Sequence, residues 1–281
     1  MTLAETLAEA RAILIAAGSK EPEAAIDVDL YAREILGWDR AQLLSRLRED
    51  TPPALEPTFS DWLARRARRE PTAYIIGYRE FWGLEFRTTQ DVLVPRPESE
   101  LVVEEGLALL SGVDAPRLAD IGTGSGCLAI ALAHDVPAAR VVATDVSEGA
   151  LRIARDNATR LGVADRVRFV RTSYLQGVTG QFDLIVSNPP YVREGDRPAL
   201  ARPVRHEPEV ALFGGTDGLR DIVGVLNAAA ETLRPGGHLL MEFGYGQEDD
   251  VRRLASITGL YVERIRLDLQ DIPRTAIISR P

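Results

Sequence analysis

The stretch that decides the fold is LADIGTGSGCLAIALA, residues 118–133. An apolar run reaches Asp120 and Ile121. Glycines follow at alternate positions, Gly122, Gly124 and Gly126, and a second apolar run of helical composition comes after them. This reads as a buried strand, a tight turn and a helix laid back on the same sheet. Glycine tolerates the left-handed backbone of such a turn and lets a ligand come close. From residue 117 onward the pattern repeats. Strands are predicted at 117–121, 140–144, 167–171, 182–187, 238–243, 261–267 and 275–279, with helical spacing between most of them. Alternating strands and helices build a parallel sheet covered on both faces. The predicted fold class is therefore α/β, a doubly wound Rossmann-like sheet. The spacing between the final two strands is too short for a crossover helix, so they are predicted to form an antiparallel hairpin at the sheet edge.

The grammar before residue 72 differs. Leu3, Leu7, Ala10 and Leu14 recur at helical period, and a second stripe runs through Ala25, Val28, Tyr31, Ala32, Ile35 and Leu36. Asp39 is placed to cap a third helix, and 57–69 reads as a fourth. The division expected is a small helical bundle at 1–72, a β-hairpin linker at 73–97 centred on Trp82-Gly83, and the sheet domain at 98–281. The chain has 281 residues, 45% of them hydrophobic and 27% charged, with a formal net charge of −9. That balance disfavours a partner with a long phosphate backbone. The single cysteine, Cys127, excludes an internal disulfide and fits a reducing compartment. The segment MTLAETLAEARAIL lacks the basic and apolar regions of a signal peptide, and no run approaches the ~20 apolar residues of a membrane span. A cytoplasmic monomer with no membrane contact is expected.

Two sites emerge. In the first, Asp120 and the Gly122–Gly126 loop face Asp145, which ends the second strand in VVATDVS. Ligands of such sheets sit beyond the carboxyl ends of the strands, and an acid at that place can take both hydroxyls of a ribose. The spacing is G-x-G-x-G rather than the dinucleotide G-x-G-x-x-G, and a carboxylate before the loop would repel a pyrophosphate. S-adenosylmethionine, with its sulfonium and ammonium groups, suits that corner. The second site is SNPPY, 187–191, at the end of the fourth strand, which should neighbour the first. Prolines lack N–H groups, so the carbonyls around Pro189 and Pro190 can be aimed outward. With the Asn188 amide oxygen they would hold an NH2 group by both hydrogens, and Tyr191 would stack on the flat group that carries it. No metal is expected: His134, His206 and His238 show no ligand spacing.

Several segments together, EPTAYIIGYREFWGLEF (70–86), VLVPRPESE (92–100), DIGTGSG (120–126), SNPPYV (187–192), RHEPEVALFGGTDGL (205–219) and EFGYGQ (242–247), resemble the release factor glutamine methyltransferases. The resemblance runs from about residue 70 to the carboxyl end of the sequence. The glycine loop and NPPY are shared with many amino methyltransferases, whereas PRPE-x-E and EP-x-x-AL-x-GG-x-DGL are more particular. The resemblance implies a class I methyltransferase sheet and transfer to the glutamine side-chain N5 in the Gly-Gly-Gln loop of peptide chain release factors. It puts the functional positions on Gly122, Thr123, Gly124, Ser125, Gly126, Asp145, Asn188, Pro189, Pro190 and Tyr191. One segment departs: RTSYL (171–175) stands where relatives carry an acid or aromatic, so Ser173 is the expected adenine contact and Tyr174 a ring beside it.

Bland readings cover the rest. RRARRE (65–70) reads as a solvated helix face before an acidic-partner surface. Trp82 reads as hairpin packing, Cys127 as a small core residue, His206 and Glu207 as structural neighbours of the acceptor channel, and Arg96 and Glu98 as a rigid corner or the mouth of the cofactor site. Two rival functions are an adenine-N6 or other nucleic-acid amino methyltransferase, which would want a basic surface that the charge of −9 does not offer, and a non-catalytic binding protein on the same scaffold.

Overall fold

The computed structural model describes residues 1–281 as two compact units: 1–77 with 201–206, and 78–200 with 207–281. In the first, helices α1 (Leu3–Ala16), α2 (Glu21–Leu36), α3 (Arg40–Ser45), α4 (Thr58–Ala67) and α5 (Thr72–Ile76) surround a core that includes Leu7, Leu14, Val28, Tyr31 and Phe59. Thr2 and Asp39 close capping boxes at α1 and α3, each satisfying two otherwise orphaned N–H groups. Two expectations are corrected here. The second stripe is turned so that Ala24 and Asp27 are buried. Asp27 accepts from Arg66 Nε at 2.7 Å and Thr72 Oγ1 at 2.7 Å. The arginine run is not wholly a solvated face: Arg68 is exposed, but Arg66 is buried and also binds Glu23 and the Glu70 carbonyl, while Arg65 holds the Glu70 carboxylate.

The second unit opens with the hairpin β1 (Tyr78–Phe81) and β2 (Leu84–Arg87). Trp82 and Gly83 both have positive φ, 56° and 69°, the twist that two-residue hairpin turns require. The linker expected from residue 73 does not begin as a strand: Thr72–Ile76 is a helical turn ended by Gly77 at φ 90°. A four-residue apolar run such as Ala73–Ile76 does not distinguish helix from strand by period. The hairpin lies within the second unit: the Arg87 N–H donates to Asn157, and Trp82 Nε1 donates to Asp135 Oδ2 at 2.7 Å.

The sheet holds seven strands: β3 (Arg117–Ile121), β4 (Arg140–Asp145), β5 (Val167–Arg171), β6 (Phe182–Ser187), β7 (Leu233–Glu242), β8 (Tyr261–Leu267) and β9 (Pro273–Ser279). Their order is β5-β4-β3-β6-β7-β9-β8, with β9 antiparallel to both neighbours. Helices α6 (Glu100–Leu110) and α7 (Cys127–Asp135) cover one face, and α9 (Arg220–Thr232) and α10 (Glu248–Ile257) cover the other. α8 (Glu148–Arg160) connects β4 to β5. Strands covered on both sides carry near-continuous apolar runs, as Leu184, Ile185 and Val186 do in β6. No helix is long and apolar enough to cross a membrane.

Candidate active site at the β3–β6 switch point

The chain winds outward from β3 to β5 and then returns to lay β6 on the other side of β3. Ile121 pairs with Ser187, so DIGTGSG and SNPPY leave the sheet side by side. Such reversals open the ligand crevice of doubly wound sheets. The Ser187 hydroxyl donates to the Ile121 carbonyl at 2.8 Å and ties the two strand ends together. A cleft opens above them. Its walls include Gly122, Gly124, Asp145, Ser173, Asn188 and Pro189.

The glycine loop is built on β4. The Gly122 and Thr123 amides donate to the Thr144 carbonyl, both at 2.9 Å. Gly122, Gly124 and Gly126 all have positive φ. Gly126 is fixed by packing as well, since a Cβ there would stand 2.7 Å from the Ile130 side chain. Asp145 shapes the same loop: Oδ2 accepts from the Gly124 N–H at 3.0 Å and Oδ1 from the Ser147 N–H at 2.9 Å. Burial raises its pKa, and those N–H groups oppose the rise. Each carboxylate oxygen still has a lone pair for the cleft. Thr123 and Ser125 also border the cleft.

Asp120 does not line the cleft. It lies beneath the loop, where Oδ2 accepts from Thr123 Oγ1 at 2.7 Å and from the Ala129 N–H at 3.2 Å. Its Oδ1 is buried with no partner. Burial, reinforced by the Asp145 charge, pushes its pKa up to about 7. On the far wall Tyr174, at φ 51°, donates to Asp221 Oδ1 at 3.1 Å, and its ring fills the space over Gly224, where a Cβ would stand 2.0 Å away.

Asn188, Pro189 and Pro190 line the cleft, but the Tyr191 ring is not among its walls. Tyr191 packs against the core, and its hydroxyl donates to Glu242 Oε1 at 3.0 Å. The expected stacking face is thus turned into a hydrogen-bond anchor. The backbone beyond Asn188 is clamped. The Tyr191 carbonyl accepts from Gln247 Nε2 at 3.2 Å, and Gly218 lies so close that a Cβ would stand 2.4 Å from that carbonyl. A Cβ on Gly214 would stand 2.5 Å from the Pro190 carbonyl. Asn188 Nδ2 donates to Ser99 Oγ at 3.0 Å, which leaves its Oδ1 as the free acceptor. Arg96 borders the cleft and is held by Glu207, at 2.6 Å, which also accepts from the Val94 N–H. Glu98 is not on the wall, and His206 belongs with the helical unit, its Nε2 3.2 Å from the Arg68 carbonyl. Cys127 packs on the core and also borders the cleft. The sequence reading places Glu207 beside the acceptor channel, but it does not reach Ser99, Glu242 or Gln247, although PRPESE and EFGYGQ carry them.

Comparison with known proteins fits this geometry. Residues 102–208 match the methyltransferase small domain and 5–77 the PrmC N-terminal domain. The chain is 44% identical to a release factor glutamine methyltransferase of Bradyrhizobium diazoefficiens over 90% of this chain and 86% of that one. It is 41% identical to that of Cereibacter sphaeroides over 100% of this chain and 99% of that one. The chain belongs to the release factor glutamine methyltransferase family. Among solved structures, a methyltransferase from Pyrococcus furiosus shares the fold at TM-score 0.54 and 23% identity, covering 77% of this chain and 98% of that one. The catalytic domain of hMettl16 in complex with the MAT2A 3′UTR hairpin 6 does so at TM-score 0.58 and 18% identity, covering 78% and 82%. At such identities the likeness is one of fold alone, and it brings no nucleic-acid function with it.

This methyltransferase uses S-adenosylmethionine, and the cleft fits the molecule. Asp145 stands at the end of β4 with lone pairs free for a ribose diol. The orphaned Asp120 oxygen lies beneath the glycine loop and, when ionised, would place negative potential under a cation above it. Val146, Ser173 and Tyr174 line the same cleft as Asp145.

Proposed function

We propose that this enzyme methylates the side-chain N5 of the glutamine in the Gly-Gly-Gln loop of peptide chain release factors. The observation that carries the reading is the Asn188 amide, held by its nitrogen so that its oxygen faces the cleft beside the cofactor wall. A carboxamide nitrogen is a poor nucleophile because its lone pair is delocalised. Asn188 Oδ1 and the carbonyl next to it at Pro189 would accept its two hydrogens and favour a pyramidal nitrogen with its lone pair directed along the transfer axis. S-adenosylmethionine supplies an electrophilic methyl on a sulfonium. As the N–C bond forms, the S–C bond breaks and its electron pair returns to sulfur. The nitrogen, cationic after transfer, then loses a proton to solvent. No strong base is needed, and orientation carries much of the rate. Gly122–Gly126, Asp145 and Ser173 hold the cofactor in this scheme, with Asp120 acting from below. We assign the helical unit, residues 1–72 in the main, to recognition of the release factor, because both sites lie on the other unit. The relatives described above support the substrate class.

The test is mass spectrometry of a purified release factor after incubation with the enzyme and S-adenosylmethionine. One added methyl on the glutamine of the Gly-Gly-Gln peptide is expected, and it should survive nuclease treatment. Methyl incorporation into DNA or RNA, with none into the release factor, would favour the nucleic-acid amino methyltransferase instead.

A further inference from the structure

Behind the cleft runs a chain of side chains to which the transfer reaction described above gives no task. Glu242 ends β7 and is fully enclosed, 2% exposed. Its Oε1 accepts from Tyr191 and its Oε2 accepts from Ser99 Oγ at 2.5 Å. Ser99, itself 2% exposed, stands just ahead of α6, and its oxygen accepts from Asn188 Nδ2. Nothing in this row touches the position of the acceptor nitrogen except Asn188.

We propose that Glu242 is a positioning residue that acts through Ser99 to select which end of the Asn188 amide faces the acceptor. The inference rests on the transfer reading above, and its logic is a count of protons. A hydroxyl has one hydrogen to give, and an ionised carboxylate has none; burial raises the pKa of Glu242, and the Ser99 and Tyr191 donors with the Arg274 charge oppose that rise and favour the ionised form the count requires. Tyr191 spends its hydrogen on Oε1 and Ser99 spends its own on Oε2. Ser99 therefore offers Asn188 only lone pairs, and the NH2 end must turn toward it. The reversed amide would set Oδ1 against a second acceptor with no hydrogen between them. The glutamate thus fixes, two bonds away, the acceptor oxygen that the cleft presents. A neutral amide in its place would do the reverse. Its NH2 would donate to Ser99, the Ser99 hydrogen would pass to Asn188, and the Asn188 nitrogen would face the cleft.

The experiment is single-turnover methyl transfer to a purified release factor, with cofactor affinity measured separately by calorimetry. Glu242→Gln keeps the shape and should slow transfer by roughly 10–100-fold, the factor for presenting the wrong hydrogen-bonding end of a buried polar group, with cofactor affinity little changed. Ser99→Ala removes the bias without reversing it, so its loss should be smaller, a few-fold. The decisive arm uses Asn188→Asp, whose two carboxylate oxygens are equivalent and cannot be misoriented. In that background Glu242→Gln should cost nothing, because the freed Ser99 hydrogen can be donated to Asp. A role confined to folding would lower rates equally in both backgrounds. Equal losses, or a Glu242→Gln enzyme as fast as the wild type, would overturn the proposal. If Glu242→Gln fails to fold, the Ser99→Ala comparison across the two backgrounds decides in the same way. Absence of transfer in the wild type would refute the substrate reading, not the relay.

Discussion

Asp145 serves two structures at once, and replacing it should separate them. In Asp145→Ala the cofactor loses charge-assisted hydrogen bonds to its ribose, worth about 1.5–3 kcal/mol, or roughly 10–150-fold in Kd. The Gly124 and Ser147 N–H groups also lose their acceptors, at about 0.5–1.5 kcal/mol each. The variant should therefore melt earlier even without ligand. Asp145→Asn is the sharper case. It keeps the size of the side chain, yet its single oxygen can serve only one of the two N–H groups, and its NH2 must confront the other. Asn should accordingly be no better than Ala in affinity, despite being closer in shape. The assay is calorimetric titration with S-adenosylmethionine at pH 8, above the pKa of about 7 at Asp120, so that proton uptake there does not enter. An Asn variant that binds as tightly as the wild type would show that the carboxylate holds neither the ribose nor the loop.

The remaining expectations are shorter. Asp120 titrates at about 7 in the fold against about 3.9 unfolded, so between those values the folded protein binds more protons. Ligand-free stability should fall as pH rises across that window, and Asp120→Asn should flatten the slope in a series of melting curves; an unchanged slope would remove Asp120 as its source. Asn188→Ala should slow methyl transfer by roughly 10²–10³-fold, by analogy with the loss of one preorganised polar contact, while Kd for the cofactor moves less; near-normal turnover would make NPPY a mere turn. Tyr191→Phe deprives Glu242 of a donor and should slow transfer more than loss of a surface hydroxyl would, a result that wild-type rates would contradict. Asp27→Ala leaves Arg66 with Glu23 and the Glu70 carbonyl only and should destabilise the helical unit by about 3 kcal/mol, the low end for breaking a buried pair, as read from urea denaturation.

Reading the sheet from the sequence worked because buried parallel strands are apolar runs with abrupt ends. FDLIVS stops at Asn188 because two prolines cannot continue a ladder, and RLADI stops at glycines with positive φ. The proposed chemistry sits at those same stops, so the glycine loop, Asp145 and Asn188 were legible with the fold. What escaped notice depends on distant partners. Asn188 and Ser99 are 89 residues apart, and Ser99 and Glu242 are 143 apart; a serine before a helix and a glutamate at a strand end look like ordinary surface residues until the sheet order is known. Asp27 and Arg66 escaped for a related reason, since a charged side chain inside an apolar stripe reads as solvent-facing unless its counterion is seen. Tyr191 escaped because a tyrosine after NPP can turn its ring toward the cleft or its hydroxyl toward the core, and only Glu242 decides between them.

The place of β9 bears on the order in which the molecule can be assembled. β9 lies between β7 and β8 yet follows both along the chain, and Thr275 pairs with Glu242. Until residues 273–279 are made, the strand that ends in Glu242 has one bare edge, and β8 has nothing to join. On a ribosome the glycine loop and the NPPY corner leave the tunnel long before that strand. Half of the sheet could be paired by then, while the support behind Asn188 would still be open to water. On the proposed relay the cofactor side would mature early, and competence to act on an acceptor would come with the closing strand.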